Sequence, residues 1–125
     1  MVDPFTPSTI GVSIDSGEFT VLARPHSSQE ALDCARLHSE MSSTEFLTAA
    51  LVPLLAANVV AVDGLNTRTN ADYPASEDDR AIWWLSEVTP EVAFNTELCI
   101  RIGRKPAEGA ISESGTAGKS PESED

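Results

Sequence analysis

Basic residues are scarce in this chain: 8 Lys and Arg stand against 20 Asp and Glu, for a net charge of −12. Such a field repels nucleic-acid phosphates and anionic lipid, so neither is expected as a direct partner. Cysteine is nearly absent. Cys34 and Cys99 fall in segments that read as helices and show no metal or redox spacing. Free buried thiols in a reducing cytosol are therefore expected, in preference to a single disulfide. Long apolar runs are missing too: the longest, Leu47 to Val62, is broken by Thr48, Pro53 and Asn58. It falls short of the ~20 residues a membrane span requires. The N-terminal MVDPFTPST has neither a basic nor an apolar signal-peptide region, so a cytoplasmic location is expected.

What is present is enough for one small domain. The hydrophobic share of 41% is that of an ordinary soluble domain, and 125 residues allow a modest core. Apolar residues alternate at Ile10, Val12 and Ile14, and again at Phe19, Val21 and Ala23 after Ser16-Gly17, which predicts a β-hairpin. Ser27 with Glu30, and Ser42 with Glu45, have capping-box spacing and open two helices. The second is leucine-rich, and Pro53 lies too deep in it for a first-turn proline, so a kink or an early end is expected there. Val59 to Val62 reads as a short third strand extending the hairpin, closed by the turn pair Asp63-Gly64. Asn66 to Pro74 reads as a mobile loop. Ser76 with Asp79, and Thr89 before Pro90, announce two closing helices. Their expected apolar positions are Ile82, Trp83, Leu85 and Val88, then Val92, Phe94, Leu98, Cys99 and Ile102.

The fold class read from this pattern is α+β: an N-terminal hairpin with a possible third strand, packed with about four helices. The body spans residues 1–105. Residues 106–125 contain one large apolar side chain, Ile111, and are expected to form a disordered acidic tail, dispensable for folding. Counting Glu108, Glu113, Glu122, Glu124 and Asp125 against Lys119 assigns −4 to the tail and −8 to the body.

Chemistry is harder to find. Cys34 and His38 share a helix face at i, i+4, but two ligands do not make a metal site. Asp33, His38 and the many serines form a triad only on paper, with no nucleophile in a recognisable turn. Glu77, Asp78 and Asp79 are explained by the dipole of the helix they open. No catalytic residue, cofactor or metal is therefore expected. Trp83 and Trp84 are the candidate partner-binding residues. Helix neighbours point about 100° apart, so in a small domain one of the two should lie at the core margin. There a tryptophan either finishes the domain's own core or anchors a protein partner.

The layout resembles a family, the tail assembly chaperones of long-tailed bacteriophages, over about residues 17–105. The resemblance is carried by the hairpin ending VLARP, a serine-capped helix and the leucine-rich EFLTAALVPLLAANVV. It continues through Asp63-Gly64 to SEDDRAIWWLSEVTPEVAFNTELCIRI. It implies binding of the tape measure protein during tail morphogenesis, with the tail tube subunit as a further partner, and absence from the mature virion. A ribosomal slip at Gly118-Lys119, which can be encoded GGG-AAA, would give a longer product of the kind many such systems make. Two readings compete with it: a structural virion protein such as a head–tail connector or tail terminator, and an acidic DNA-mimic inhibitor. An enzyme is the least expected.

Overall fold

The alternation on either side of Gly17 closes into a hairpin. The structure, a computed structural model, describes residues 1–107; the expected tail lies outside the described residues except for Pro106 and Ala107. Strand β1 (Ser8–Ile14) pairs antiparallel with β2 (Gly17–Ala23), Val12 opposite Phe19. Gly17 takes φ 147°, a conformation costly for any residue with a Cβ, and so lets the two-residue turn close. The expected third strand is present as β3 (Val59–Asp63), antiparallel to β2, giving the order β1-β2-β3. A register shift between Leu22 and Ala23 leaves one extra residue on β3, a bulge that twists the sheet's edge.

The helices follow their caps. Helix α1 (Ser28–Glu40) has both arms of the capping box at Ser27 and Glu30. The next helix starts with the Ser42–Glu45 box and runs without a break through α2 (Ser43–Phe46), a π turn (Leu47–Leu51) and α3 (Val52–Asn58). Pro53 therefore does not end it early. Its ring would collide with the Ala49 carbonyl in a regular helix. The turn just ahead of it widens instead, and the Val52 N–H bonds five residues back to Leu47. Helix α4 (Glu77–Ser86) is capped by Ser76, and α5 (Pro90–Ile102) by Thr89 with Pro90 in its first turn. Counting 43–58 as one, the described residues hold four helices beside a three-stranded sheet, an α+β fold.

The core lies between the sheet's inner face and helices α3, α4 and α5. Ile10, Val12, Phe19, Val21 and Ala23 point into it from the hairpin. Leu51, Leu55, Trp84, Val92 and Ile100 meet them from the helices. The segment 66–76 is irregular as expected, yet it is tied down. Arg68 N–H donates to the Glu87 carbonyl at 2.9 Å, and the Glu87 carboxylate accepts from Thr69 N–H at 2.9 Å and Thr69 Oγ1 at 2.7 Å. These Thr69 bonds, the backbone one foremost, hold the Glu87 carboxyl below its ordinary range.

The first residues assigned to the tail also belong to the body. Gly103 ends α5 with φ 66°. The chain then crosses the outer side of the hairpin. Gly11 N–H donates to the Arg104 carbonyl at 3.0 Å; Glu18 takes a 2.9 Å bond from Arg104 Nη2 and a 2.8 Å bond from Ala107 N–H. A Cβ on Gly11 would stand 2.5 Å from the Pro106 Cα, a contact no real structure tolerates. Gly11→Ala should therefore lower stability by about 1–3 kcal/mol through overpacking. Most of that loss should vanish in a chain shortened after Gly103, as compared in urea unfolding curves.

Candidate interaction surface

Trp83 and Trp84 are the residues singled out for partner binding, and both are interior: Trp83 is 4% exposed and Trp84 2%. The expectation that one lies at the core margin is corrected. The reason is the segment ahead of α4, which folds back over the helix and widens the covered arc. The Tyr73 ring stands edge-on to Trp83 at 4.8 Å, and the two indoles meet edge-on at 5.1 Å. Their polar ends are satisfied: Trp83 Nε1 donates to the Ala71 carbonyl at 3.2 Å and Trp84 Nε1 to Tyr73 Oη at 3.0 Å. Tyr73 in turn donates to the Val59 carbonyl at 2.8 Å. Burial pushes its phenol up to about 12, against the smaller opposing effects of the Trp84 bond and the Arg80 charge.

The other sequence candidates stay apart. His38 packs its ring edge-on against Phe46 at 4.9 Å, and Asp33 accepts from Gln29 on the outside of α1. Among the described residues no group of three or more His, Cys, Asp or Glu is placed to hold a metal ion. Cys34 is half-buried, Cys99 is buried, and both are free thiols. Burial, and after it the Glu97 charge, pushes the Cys34 thiol up, away from nucleophilic reactivity. Glu77, Asp78 and Asp79 are exposed in the first turn of α4, as the dipole argument expects.

The surface of interest was not among the candidates. All 13 residues of α1 escape full burial. The Glu30 carboxylate fixes the start of α1, accepting from Ser27 N–H at 2.8 Å and reaching Asn58 Nδ2, at the end of α3, at 3.3 Å. Half-buried Cys34 and Leu37 then face the π turn and α3, which leaves Ala31, Leu32 and Ala35 outward. Across from Ala31 and Ala35 stands Leu98 of α5, and between the helices lies a cleft of about 390 Å³. Leu32 is 65% exposed, Leu98 42%, and Ile102, one turn beyond Leu98, 63%. The apolar periodicity had marked Leu98 and Ile102 as apolar positions of the last helix, without saying that they face out.

The cleft's floor is an ionic knot. Glu97, with a side chain 5% exposed, takes two 3.0 Å bonds from Arg101 and one of 3.2 Å from His26 Nε2. Burial alone would raise the Glu97 carboxyl; the His26 and Arg101 hydrogen bonds outweigh it and bring it to about 2. An ionised carboxylate only accepts, so Nε2 carries the proton; His26 Nδ1 is buried without a partner. The only hint of this in sequence is a glutamate inside an apolar stripe. No protein-family model, curated protein or solved structure matches the chain. No helix among the described residues is long and apolar enough to cross a membrane.

Two measurements check this arrangement. Tyr73→Phe orphans the Trp84 N–H and the Val59 carbonyl, at about 1–3 kcal/mol each, and should lower the melting temperature by roughly ten degrees or more. Glu97 has a folded pKa below its unfolded value, so its stabilisation is present above about pH 4.5 and is lost as pH falls towards 2. Solvent around the half-exposed Arg101 screens the pair, leaving on the order of 1–2 kcal/mol. Glu97→Gln should be less stable than wild type by that amount at pH 7, with the gap closing between pH 4.5 and 2.5 in parallel denaturation series.

Proposed function

We propose that this chain is a non-enzymatic assembly chaperone of a long-tailed bacteriophage. It binds the tape measure protein, and in addition the tail tube subunit, in the host cytoplasm and stays out of the finished virion. The observation that carries the reading is the apolar surface left exposed on α1 and α5: Leu98 at the α1–α5 cleft, Ile102 one turn beyond it, and Leu32 on α1. A helper for an elongated, aggregation-prone client must present apolar side chains and remain dispersed itself. Exposed leucines supply contact area, and a net charge of −12 supplies repulsion between copies. The reactive groups point away from catalysis: the Cys34 thiol is pushed up, and Glu97 is occupied by Arg101 and His26.

Trp83 and Trp84 are poor positions for testing this reading, since truncating either large buried side chain costs about 3–5 kcal/mol and threatens the fold. The experiment co-expresses the chain with a phage tape measure protein, the client this reading names. Wild type is compared with the combined Leu32→Ser, Leu98→Ser and Ile102→Ser variant. These positions are exposed, so the variant's melting temperature should stay within a few degrees. Soluble client should fall severalfold with the variant and further without the protein. A client equally soluble without the protein sinks the chaperone reading; a client that needs the protein but ignores the three substitutions moves the contact surface elsewhere.

A further inference from the structure

A second opening, wider than the α1–α5 cleft, lies among the hairpin turn, the exit of β3 and the joint between α4 and α5, with a volume of about 700 Å³. Its apolar surface comes from Ile14, Leu65, Leu85 and Val88 above the buried Phe19. Leu85 is 53% exposed and shares the outer face of α4 with Ile82, one turn away and also exposed. Gly17 and Gly64, both with positive φ, leave bare backbone along one wall. None of these residues lines the α1–α5 cleft.

The charged residues of this groove are Glu18, Glu87, Glu91 and Arg68. Each glutamate is held by a backbone donor: Glu91 by Asp15 N–H at 3.3 Å, Glu87 by Thr69 N–H, Glu18 by Ala107 N–H. Glu18 is offset by Arg104, which leaves Glu87 and Glu91 as the anchored, uncompensated carboxylates, against Arg68 alone. Glu91, with one fixed bond, keeps lone pairs free for a second donor, and Glu87, held on both oxygens by Thr69, keeps fewer; holding both in place beforehand removes the entropy of ordering them on binding.

We propose that this groove docks a cationic amphipathic segment of a protein partner, its apolar side chains on Leu85 and Val88 and its lysines or arginines on Glu87 and Glu91. Charge decides the occupant. A second copy of this chain brings another −12 and is repelled, whereas a basic segment is drawn in by the same field. The site needs no client in the α1–α5 cleft, and it stands or falls separately from the chaperone reading.

The test titrates the full-length, isotope-labelled chain with a synthetic leucine–lysine amphipathic peptide while backbone amide resonances are followed. A leucine–glutamate peptide of the same pattern serves as control. The lysine peptide should shift Gly17, Gly64 and Val88 together. Leu85→Ser and Glu91→Gln should each weaken binding about three- to tenfold, and Arg68→Gln should tighten it about two- to fivefold. Raising salt from about 0.05 to about 0.3 M should weaken it at least severalfold. Shifts centred on Ala35 and Leu98, equal binding of the glutamate peptide, or no shift at about 1 mM peptide would each overturn the proposal.

Discussion

The Tyr73 hydroxyl donates to the Val59 carbonyl and accepts from Trp84 Nε1, so one phenol ties the start of β3, the irregular segment after it and α4 together. The rest of the fold leans on this junction. The segment 66–76 packs against both indoles, and it stays down through Tyr73, Ala71 and the Glu87 bonds to Arg68 and Thr69. Arg80 adds a cation over the Tyr73 ring at 5.4 Å and a 3.0 Å bond to the Pro74 carbonyl. In a body of about a hundred residues, two tryptophans and a tyrosine are a large share of the aromatic area that can be withdrawn from water. A loop that carries no regular structure is thus part of the core's wall.

Using up the tryptophans in this way has a consequence for the surface. Helix α4 carries apolar residues around most of its circumference, and once Trp83 and Trp84 face inward, Ile82 and Leu85 face out. Helix α5 repeats the choice: Val92, Ala93, Cys99 and Ile100 are buried, and Leu98 and Ile102 are left exposed. The buried polar side chains of α5 fit the same logic. Thr96 returns its hydroxyl to the Val92 carbonyl at 2.6 Å, and Glu97 accepts hydrogen bonds from Arg101 and His26. The buried polar groups of α5 are thereby partnered, and its apolar side chains at Leu98 and Ile102 are left facing out.

Local signals in the sequence were legible and long-range ones were not. The four N-caps at Ser27, Ser42, Ser76 and Thr89 stand where spacing placed them, because a cap is decided within four residues. The hairpin and β3 were readable from period two and from the glycines at 17 and 64. Helix faces were a different matter. Periodicity says which residues share a face, but not which of two apolar faces the sheet will cover; Ile82, Leu85, Leu98 and Ile102 were legible as apolar positions, and their facing outward was not. The pinning of 66–76 rests on contacts to residues 11 to 19 positions away, for which no local pattern exists. One overlooked signal was available: Gly11 interrupts an alternating strand, and an isolated strand glycine marks a close backbone approach, here that of Pro106.

The exposed apolar face and the charge imbalance belong to one design problem. Leu32, Leu98 and Ile102 would invite self-association in a neutral protein, since apolar attraction acts at contact and does not distinguish another protein from a second copy. Charge repulsion reaches roughly a Debye length, about 8 Å at physiological salt, and so acts before the apolar faces meet. It discriminates by sign. Two copies at −12 each are held apart, while a neutral or basic chain can approach and exclude water from the same leucines. The acidic residues that cap helices and clamp loops thereby also decide what this surface is free to touch.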